Sequence, residues 1–341
     1  MRRRQFVSLL GGVALAPLAA LPAYADPPEG CGTPSRRDDG WPVTSADDGL
    51  ADYNALCEMA SRLTASGANI HAVLVVRSGK LVFERYFKGI DEIPGRIYGR
   101  RIENVAFDAD TLHDMKSVSK SVASLAVGIA IDRGLIRSVN EPIFSFFPEL
   151  SDLRSPERDR IQLVHALTMS MGLKWVEATP ATGDFNNDEA RMNMAWDPCR
   201  YVLGLPMTAP AGQEFFYNTG ALRLISAILH KATGSPLDKF AQTTLFEPLG
   251  ITNIEWTRVR GETDAGGGLR LRPRDMAKIG QLVLAGGRWN GRQIVSKAWI
   301  DASTSHRDGR AGSRTSRVTD RSTPAASRVT ISRRTRATWT H

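Results

Sequence analysis

The sequence predicts an α/β (α+β) chain in which an antiparallel sheet with flanking helices carries an inserted helical domain. Three observations lead there. Two β-branched and aromatic runs flank Ser78-Gly79 near the N-terminal end, which is the pattern of a β-hairpin. Helical patterns then fill the middle of the chain, and one of them is apolar on nearly every side. The composition is 42% hydrophobic and 23% charged, ordinary for a folded globular protein. Residues 26–301 are long enough for a large core, and no internal repeat is present.

Taken in order, residues 1–25 read as a signal peptide. Arg2, Arg3 and Arg4 form a charged start, Val7 to Ala20 a short apolar stretch, and Ala23-Tyr24-Ala25 a cleavage site. Roughly 15 apolar residues span about 22 Å as a helix, short of a hydrocarbon core of about 30 Å. The run Arg3-Arg4-Gln5-Phe6-Val7 resembles a twin-arginine export signal, with a general secretory signal as the alternative. Either predicts a periplasmic or secreted protein, with no integral membrane segment in the mature chain. A domain is expected over 40–301, with its helical part at about 111–230.

Leu50, Tyr53, Leu56, Ala60 and Leu63 recur at helical spacing, predicting a helix over roughly 50–65. The hairpin strands are His71–Val76 and Leu81–Phe87, and a polar loop is expected over 88–110. Ser117 to Ile131 is the all-round apolar helix, expected to be buried and closed by Gly134. Further helices are predicted at about 160–169, 219–233, 236–247, 273–285 and 296–302. Gly234 ends one of these and Ser235-Pro236 opens the next, while Asn290-Gly291 marks a turn.

The formal charge is +8, from 44 Lys+Arg against 36 Asp+Glu. Its distribution matters more than its sum. Three of those charges sit in residues 1–25 and seven in residues 302–341, so the body is faintly acidic at −2. The basic ends are not a nucleic-acid-binding surface on the fold, and no nucleic-acid partner is expected.

Three cysteines, Cys31, Cys57 and Cys199, lack metal-ligand spacing. An oxidising compartment permits one disulfide with one thiol left over, in any of the three pairings. The six histidines show no H-x-x-x-H pairing, so neither a zinc site nor any other cofactor is expected. There is also no phosphate-binding G-x-x-x-x-G-K-[ST] loop and no G-x-S-x-G elbow.

The residues that carry chemistry are Ser117-Val118-Ser119-Lys120, an S-x-x-K at the start of the buried helix. Serine and lysine at i and i+3 share a helix face. A hydroxyl at a helix N-terminus sits where backbone N–H groups favour developing negative charge. A desolvated lysine beside it can act as its base. The spacing alone is a weak signal, equally compatible with a capping serine and a lysine reaching for water. Burial of the helix strengthens it, because an unpaired ammonium there is costly. A partner stands about 100 residues on, at Phe216-Tyr217-Asn218-Thr219. Tyr217 can relay a proton among serine, lysine and a leaving group, or be a tyrosine with its hydroxyl in water.

Met115–Gly134 resembles the active-site helix of the class C β-lactamase and penicillin-binding-protein-like serine hydrolases. Gly212–Gly250 is similar to that family's tyrosine segment, Ile161–Leu173 to its intervening helix, and Gly266–Gly291 continues the likeness. Within the family the chain most resembles the branch of 6-aminohexanoate-dimer hydrolases and related esterases. The resemblance implies a beta-lactamase/transpeptidase-like fold and a small-molecule amide or ester substrate. It also implies an acyl-enzyme mechanism with Ser117 as nucleophile, Lys120 as general base and Tyr217 as proton relay. Thr219 stands where β-lactamases proper usually have Asn, which favours an amidase or esterase. Met115, Lys116 and the Thr179–Arg200 loop are candidates to line the cleft.

The family carries a third motif, K-T-G or H-x-G, on a strand that walls the cleft and completes the oxyanion hole. Residues 302–341 hold nine Arg and 15 Ser/Thr with no Leu, Phe, Met, Tyr or Glu, and neither Arg307-Asp308-Gly309 nor Arg310-Ala311-Gly312 leads into a strand pattern. Such sequence is expected to be a disordered tail. The abrupt change after about Ser303 reads as a frameshifted or truncated ending, with a basic arm for nucleic acid or envelope polymers as the alternative. The expected consequences are a sheet reduced to its hairpin, exposed helix faces, poor stability and impaired hydrolysis. A catalytically inactive relic or ligand-binding protein of the same fold is therefore the competing reading.

Overall fold

The computed structural model describes residues 31–44, 51–94, 100–177 and 186–305. Residues 1–25, read from the sequence as a signal peptide, the residues beyond Ser305 and the Thr179–Phe185 part of the candidate cleft loop lie outside the described residues. Helix α1 (Tyr53–Ala65) starts where the Asp52 carboxylate accepts from Ala55 N–H, and it buries Cys57 and Ala60. Strands β1 (Ala72–Arg77) and β2 (Lys80–Tyr86) form the expected hairpin. Ser78 and Gly79 both take positive φ, 52° and 75°, which is the turn that matches strand twist.

Val75 pairs with Phe83 but Val76 with Leu81, so Val82 is an extra, bulged residue. The hairpin separates two apolar clusters. Leu81, Leu74 and Val76 join the main core, whereas Phe83, Val82, Val73 and Val75 pack with Cys31, Cys57 and Ala60. Cys31 and Cys57 are joined by a disulfide and Cys199 is free.

Residues 88–110, expected as a loop, instead form a second hairpin of β3 (Lys88–Pro94) and β4 (Arg100–Ala106). Its strands are largely polar and Ile90 is exposed, so the hydrophobic alternation that betrays a half-buried strand is missing. Next come β5 (His113–Asp114) and α2 (Val118–Asp132), the latter buried along most of its length as predicted. Gly134 follows it at φ +71°.

The helix expected over 160–169 shrinks to α3 (Leu163–Leu167), preceded by short 3₁₀ turns. The later part of the expected Thr179–Arg200 loop is helical, in α4 (Asp188–Met194) and α5 (Pro198–Gly204). Asn187 and Asp197 cap these two helices, so their start signals are local, but both are too short to show periodicity. Helix α6 (Thr219–Thr233) matches its expected bounds, capped by Asn218 and ended by Gly234 at φ +71°.

The stretch predicted as one helix over 236–247 is broken into α7 (Leu237–Ala241), a π turn over Gln242–Phe246 and a 3₁₀ turn over Glu247–Leu249. Pro248 has no N–H for the helical ladder and crowds the preceding turn, which forces the change of pitch. Strand β6 (Ile254–Trp256), the small hairpin of β7 (Arg258–Val259) and β8 (Glu262–Thr263), and β9 (Leu269–Leu271) follow. Strand β9 lies between β5 and β6, antiparallel to both. The described strands therefore exceed the single hairpin expected.

Helix α8 (Pro273–Leu284) begins with proline at its first position and packs on β1. Strands β10 (Arg288–Trp289) and β11 (Arg292–Gln293) turn at Asn290-Gly291, and α9 (Lys297–Thr304) lies across α2. There Gly128 has no room for a side chain, since a Cβ would sit 2.4 Å from the Trp299 ring. The exposed large apolar side chains are Ile90, Leu135, Met194, Trp196, Phe215, Phe216 and Tyr217, none of them on α2, α6 or α8. The exposed helix faces expected from the sequence are not present among the described residues.

Candidate active site

Three chain segments meet at the start of α2. Met115 N–H donates to the Leu269 carbonyl at 2.9 Å, which ties the approach to α2 to β9. Met115 is buried in the core and so does not line a cleft. Lys116 takes positive φ, 46°, and is held by Asp114 at 2.9 Å and Glu92 at 3.0 Å. That strained residue turns the chain so that Ser117 stands at the helix N-terminus.

Ser117 occupies the N-cap position, but its hydroxyl makes no capping bond. Instead its Oγ lies 2.6 Å from Tyr217 Oη and 3.1 Å from Lys120 Nζ. Lys120 Nζ also donates to the Gly266 carbonyl at 2.5 Å and sits 5.1 Å from the centre of the Tyr217 ring. All three sequence-predicted residues are thus brought together. The expectation that Lys120 would be buried is corrected, because it is only half-buried. It lies at the mouth of the site, in the less covered first turn of α2, and Ser117 and Tyr217 are both exposed beside it.

Several residues that hold this arrangement carry no motif of their own. Ser119 is buried with its Oγ 2.7 Å from the carbonyls of Lys116 and Gly267. Adjacent residues of α2 therefore both bond the turn Gly266–Gly268. Asn218 caps α6 through Ala221 N–H at 3.1 Å, a structural task. Thr219 donates from its backbone N–H to Glu177 Oε2 at 2.7 Å and from its hydroxyl to Oε1 at 2.9 Å, while Trp175 Nε1 donates to Oε2 at 2.5 Å. Gly220 admits the Trp175 ring, which a Cβ would meet at 2.6 Å. No local pattern points to the Glu177 contacts, since Glu177 lies 42 residues from Thr219.

Among the described residues no group of His, Cys, Asp or Glu could hold a metal ion, and no helix is long and apolar enough to cross a membrane. What the site offers is a hydroxyl at a helix N-terminus, an amine within reach of it, and a phenol in contact with it. That is the equipment for general-base activation of a nucleophile.

The family model described as Beta-lactamase matches residues 59–326, most of the chain. The matched stretch runs past Ser303 into residues outside those described. The chain is 26% identical over 240 residues to the 6-aminohexanoate-dimer hydrolase of Paenarthrobacter ureafaciens, covering 68% of this chain and 56% of that one. It is 24% identical over 196 residues to Esterase EstB of Burkholderia gladioli, covering 55% and 47%. The chain thus spans about half the length of these curated relatives. A solved structure, the putative 6-aminohexanoate-dimer hydrolase from Bacillus anthracis, superposes with TM-score 0.59 at 20% identity, covering 77% of this chain and 66% of that one. The fold is accordingly beta-lactamase/transpeptidase-like, as the sequence predicted. By the extent of that match and the agreement of its neighbours, the chain belongs to the beta-lactamase family.

Proposed function

We propose that this protein is an exported serine hydrolase that cleaves a small-molecule amide or ester through an acyl-enzyme on Ser117. The observation that carries the reading is the double contact of Ser117 Oγ, with Lys120 Nζ at 3.1 Å and Tyr217 Oη at 2.6 Å. Lys120 as the free amine takes the hydroxyl proton while Oγ bonds the substrate carbonyl carbon. The proton passes by way of Tyr217 to the leaving amine or alkoxide as its bond to that carbon breaks. Water then attacks the acyl-enzyme, giving up a proton to the same pair, and the acid departs as Oγ is reprotonated. The Ser117 backbone N–H lies at the helix N-terminus and supports the developing oxyanion.

The relatives named hydrolase and esterase support a choice between amide and ester substrates. Export is supported by residues 1–25 and by the Cys31–Cys57 disulfide, which suits an oxidising compartment. A second reading, a ligand-binding relic of the same fold, is favoured by the lack of a K-T-G or H-x-G strand pattern after α8. A fluorophosphonate probe and p-nitrophenyl butyrate separate the two readings. Labelling and hydrolysis by the full chain, both lost in Ser117→Ala, support the hydrolase. Ligand binding with no trace of labelling would leave only the relic.

A further inference from the structure

We infer that Asp264 is a positioning residue of this site: its carboxylate holds the Gly266–Gly268 turn, and the Gly266 carbonyl in turn fixes Lys120 against Ser117. Its catalytic consequence rests on the hydrolase reading above; the placement itself does not.

Asp264 Oδ1 accepts from Gly266 N–H at 3.0 Å and from Gly267 N–H at 3.2 Å. Its backbone is anchored to β6 and the residue after it, since Asp264 N–H donates to the Thr257 carbonyl at 2.8 Å and its carbonyl accepts from Trp256 Nε1 at 2.7 Å. The side chain is therefore a fixed platform under the turn. From that turn the Gly266 carbonyl reaches Lys120 Nζ at 2.5 Å and the Gly267 carbonyl reaches Ser119 Oγ at 2.7 Å.

Three successive glycines lose more conformational freedom on ordering than any other tripeptide, so the turn needs an external constraint. Substitution cannot supply one. A Cβ at Gly266 would meet Thr219 Cγ2 at 2.4 Å, and one at Gly268 would meet Thr257 Cβ at 2.8 Å. A carboxylate accepting two amide N–H bonds does supply it, because charge-assisted bonds are about twice as strong as neutral ones. No salt bridge reaches Asp264 among the described residues, and burial raises its pKa, with the two glycine amides and the charge of Lys120 pulling the other way. The chain thus keeps an acid at a costly place, directly behind its base. The effect is positional: with one N–H of Lys120 held by the Gly266 carbonyl, its nitrogen is kept 3.1 Å from Ser117 Oγ.

The test uses the full chain with Asp264→Ala and Asp264→Asn, the second keeping an oxygen that accepts both amide bonds. Competitive acetylation by acetic anhydride, read by mass spectrometry, reports the freedom of Lys120 relative to exposed Lys80. Buried Lys278 in the same sample reports global folding. The Ala variant should raise Lys120 acetylation several-fold with Lys278 unchanged, and the Asn variant should stay near wild type. Fluorophosphonate labelling of Ser117 should slow by about 10–100-fold in the Ala variant and recover in the Asn variant. Unchanged Lys120 acetylation in the Ala variant would overturn the inference, and so would an Asn variant as disturbed as the Ala variant. If the Ala variant also exposes Lys278, the Asn variant alone decides. Lys120 responding as expected while wild-type Ser117 is never labelled would sink the hydrolase reading and leave the positioning role standing.

Discussion

Ser117 Oγ has two neighbours, to which the proposed mechanism gives separable tasks. Removing the proposed base or the proposed relay should cost rate rather than binding, because neither side chain is expected to supply ground-state affinity. Lys120→Met and Tyr217→Phe are each expected to lower kcat for p-nitrophenyl butyrate by about 10²–10⁴, with KM little changed. A rise in KM at constant kcat would place these groups in binding instead. Gly266→Ala gives a second residue-scale prediction. Its Cβ would meet Thr219 Cγ2 at 2.4 Å, so either the tyrosine segment or the carbonyl that holds Lys120 must shift. The expected result is a loss of about 1–3 kcal/mol in urea-melt stability together with slower acylation of Ser117. Full activity with wild-type stability would mean the contact is softer than it looks. At this scale the sequence was informative about Ser117, Lys120 and Tyr217 and silent about Glu177 and Asp264. The first three fall in motifs with their own spacing. The other two act only through space on backbone groups.

Elements differ in how openly the sequence declares them. Helices α2, α6 and α8 were legible because long apolar-rich runs are closed by local end signals, Gly134 after α2 and Gly234 after α6; the structure adds Asn218 and Pro273 at the starts of α6 and α8. The β3–β4 hairpin was not, because polar strands lying over solvent have no reason to alternate. That hairpin nevertheless covers a titratable cluster. His113 on β5 is buried, its ring tilted against those of Phe107 at 4.4 Å and His71 at 5.4 Å, and its Nε2 has no hydrogen-bond partner among the described residues. Burial pushes its pKa down to about 4, helped by the charge of His71 and Arg270 and opposed by Asp91 and Asp108. The unfolded chain then binds a proton near pH 6.5 that the folded chain refuses until about 4. Stability should fall as pH drops through that window, by about 3 kcal/mol in total, and His71, also lowered by burial, adds in the same direction. Urea melts from pH 7 to pH 4 should show this slope, and His113→Gln should flatten it. An unaltered slope in that variant would assign the effect elsewhere.

The disulfide acts at the same scale. It joins Cys31 to Cys57 on α1, 26 residues apart in sequence, over one face of the first hairpin. Closing a loop of that length contributes about 3–4 kcal/mol in the chain-entropy treatment. Reduction, or Cys31→Ser with Cys57→Ser, should lower stability by that order and leave Ser117 labelling intact at low temperature. Loss of labelling before any loss of structure would contradict the assignment of the bridge to the far side of the hairpin.

For the whole molecule, α8 is the strut between the first hairpin and the main core, and it is fastened by charge as well as by apolar contact. Arg274 is 2% exposed and donates to Glu84 on β2, to Asp39 at 2.9 Å and to the Ser35 carbonyl at 2.8 Å. The Trp41 indole donates back to the Arg274 carbonyl at 3.0 Å. Glu84 ends below the usual carboxylate range: burial pushes it up, but the bonds from Arg274 and Ser35 outweigh that. Arg274→Ala should cost about 3–5 kcal/mol, since it strands the buried Glu84 carboxylate and removes the partner of Asp39. Arg274→Ala paired with Glu84→Gln should recover part of that loss. A single variant as stable as wild type would show that apolar packing alone holds the strut.

By itself the sequence determined the family, the ends of the long helices and the three residues expected to do chemistry. All of these are written in local spacing, capping and turn residues, or in motifs a few residues long. The tertiary structure decided what those residues touch. Ser117 meets Tyr217 across 100 residues, Lys120 meets Gly266 across 146, and Arg274 meets Glu84 across 190. Such contacts depend on how packed elements bring distant backbone together, and no local pattern in the chain encodes that distance.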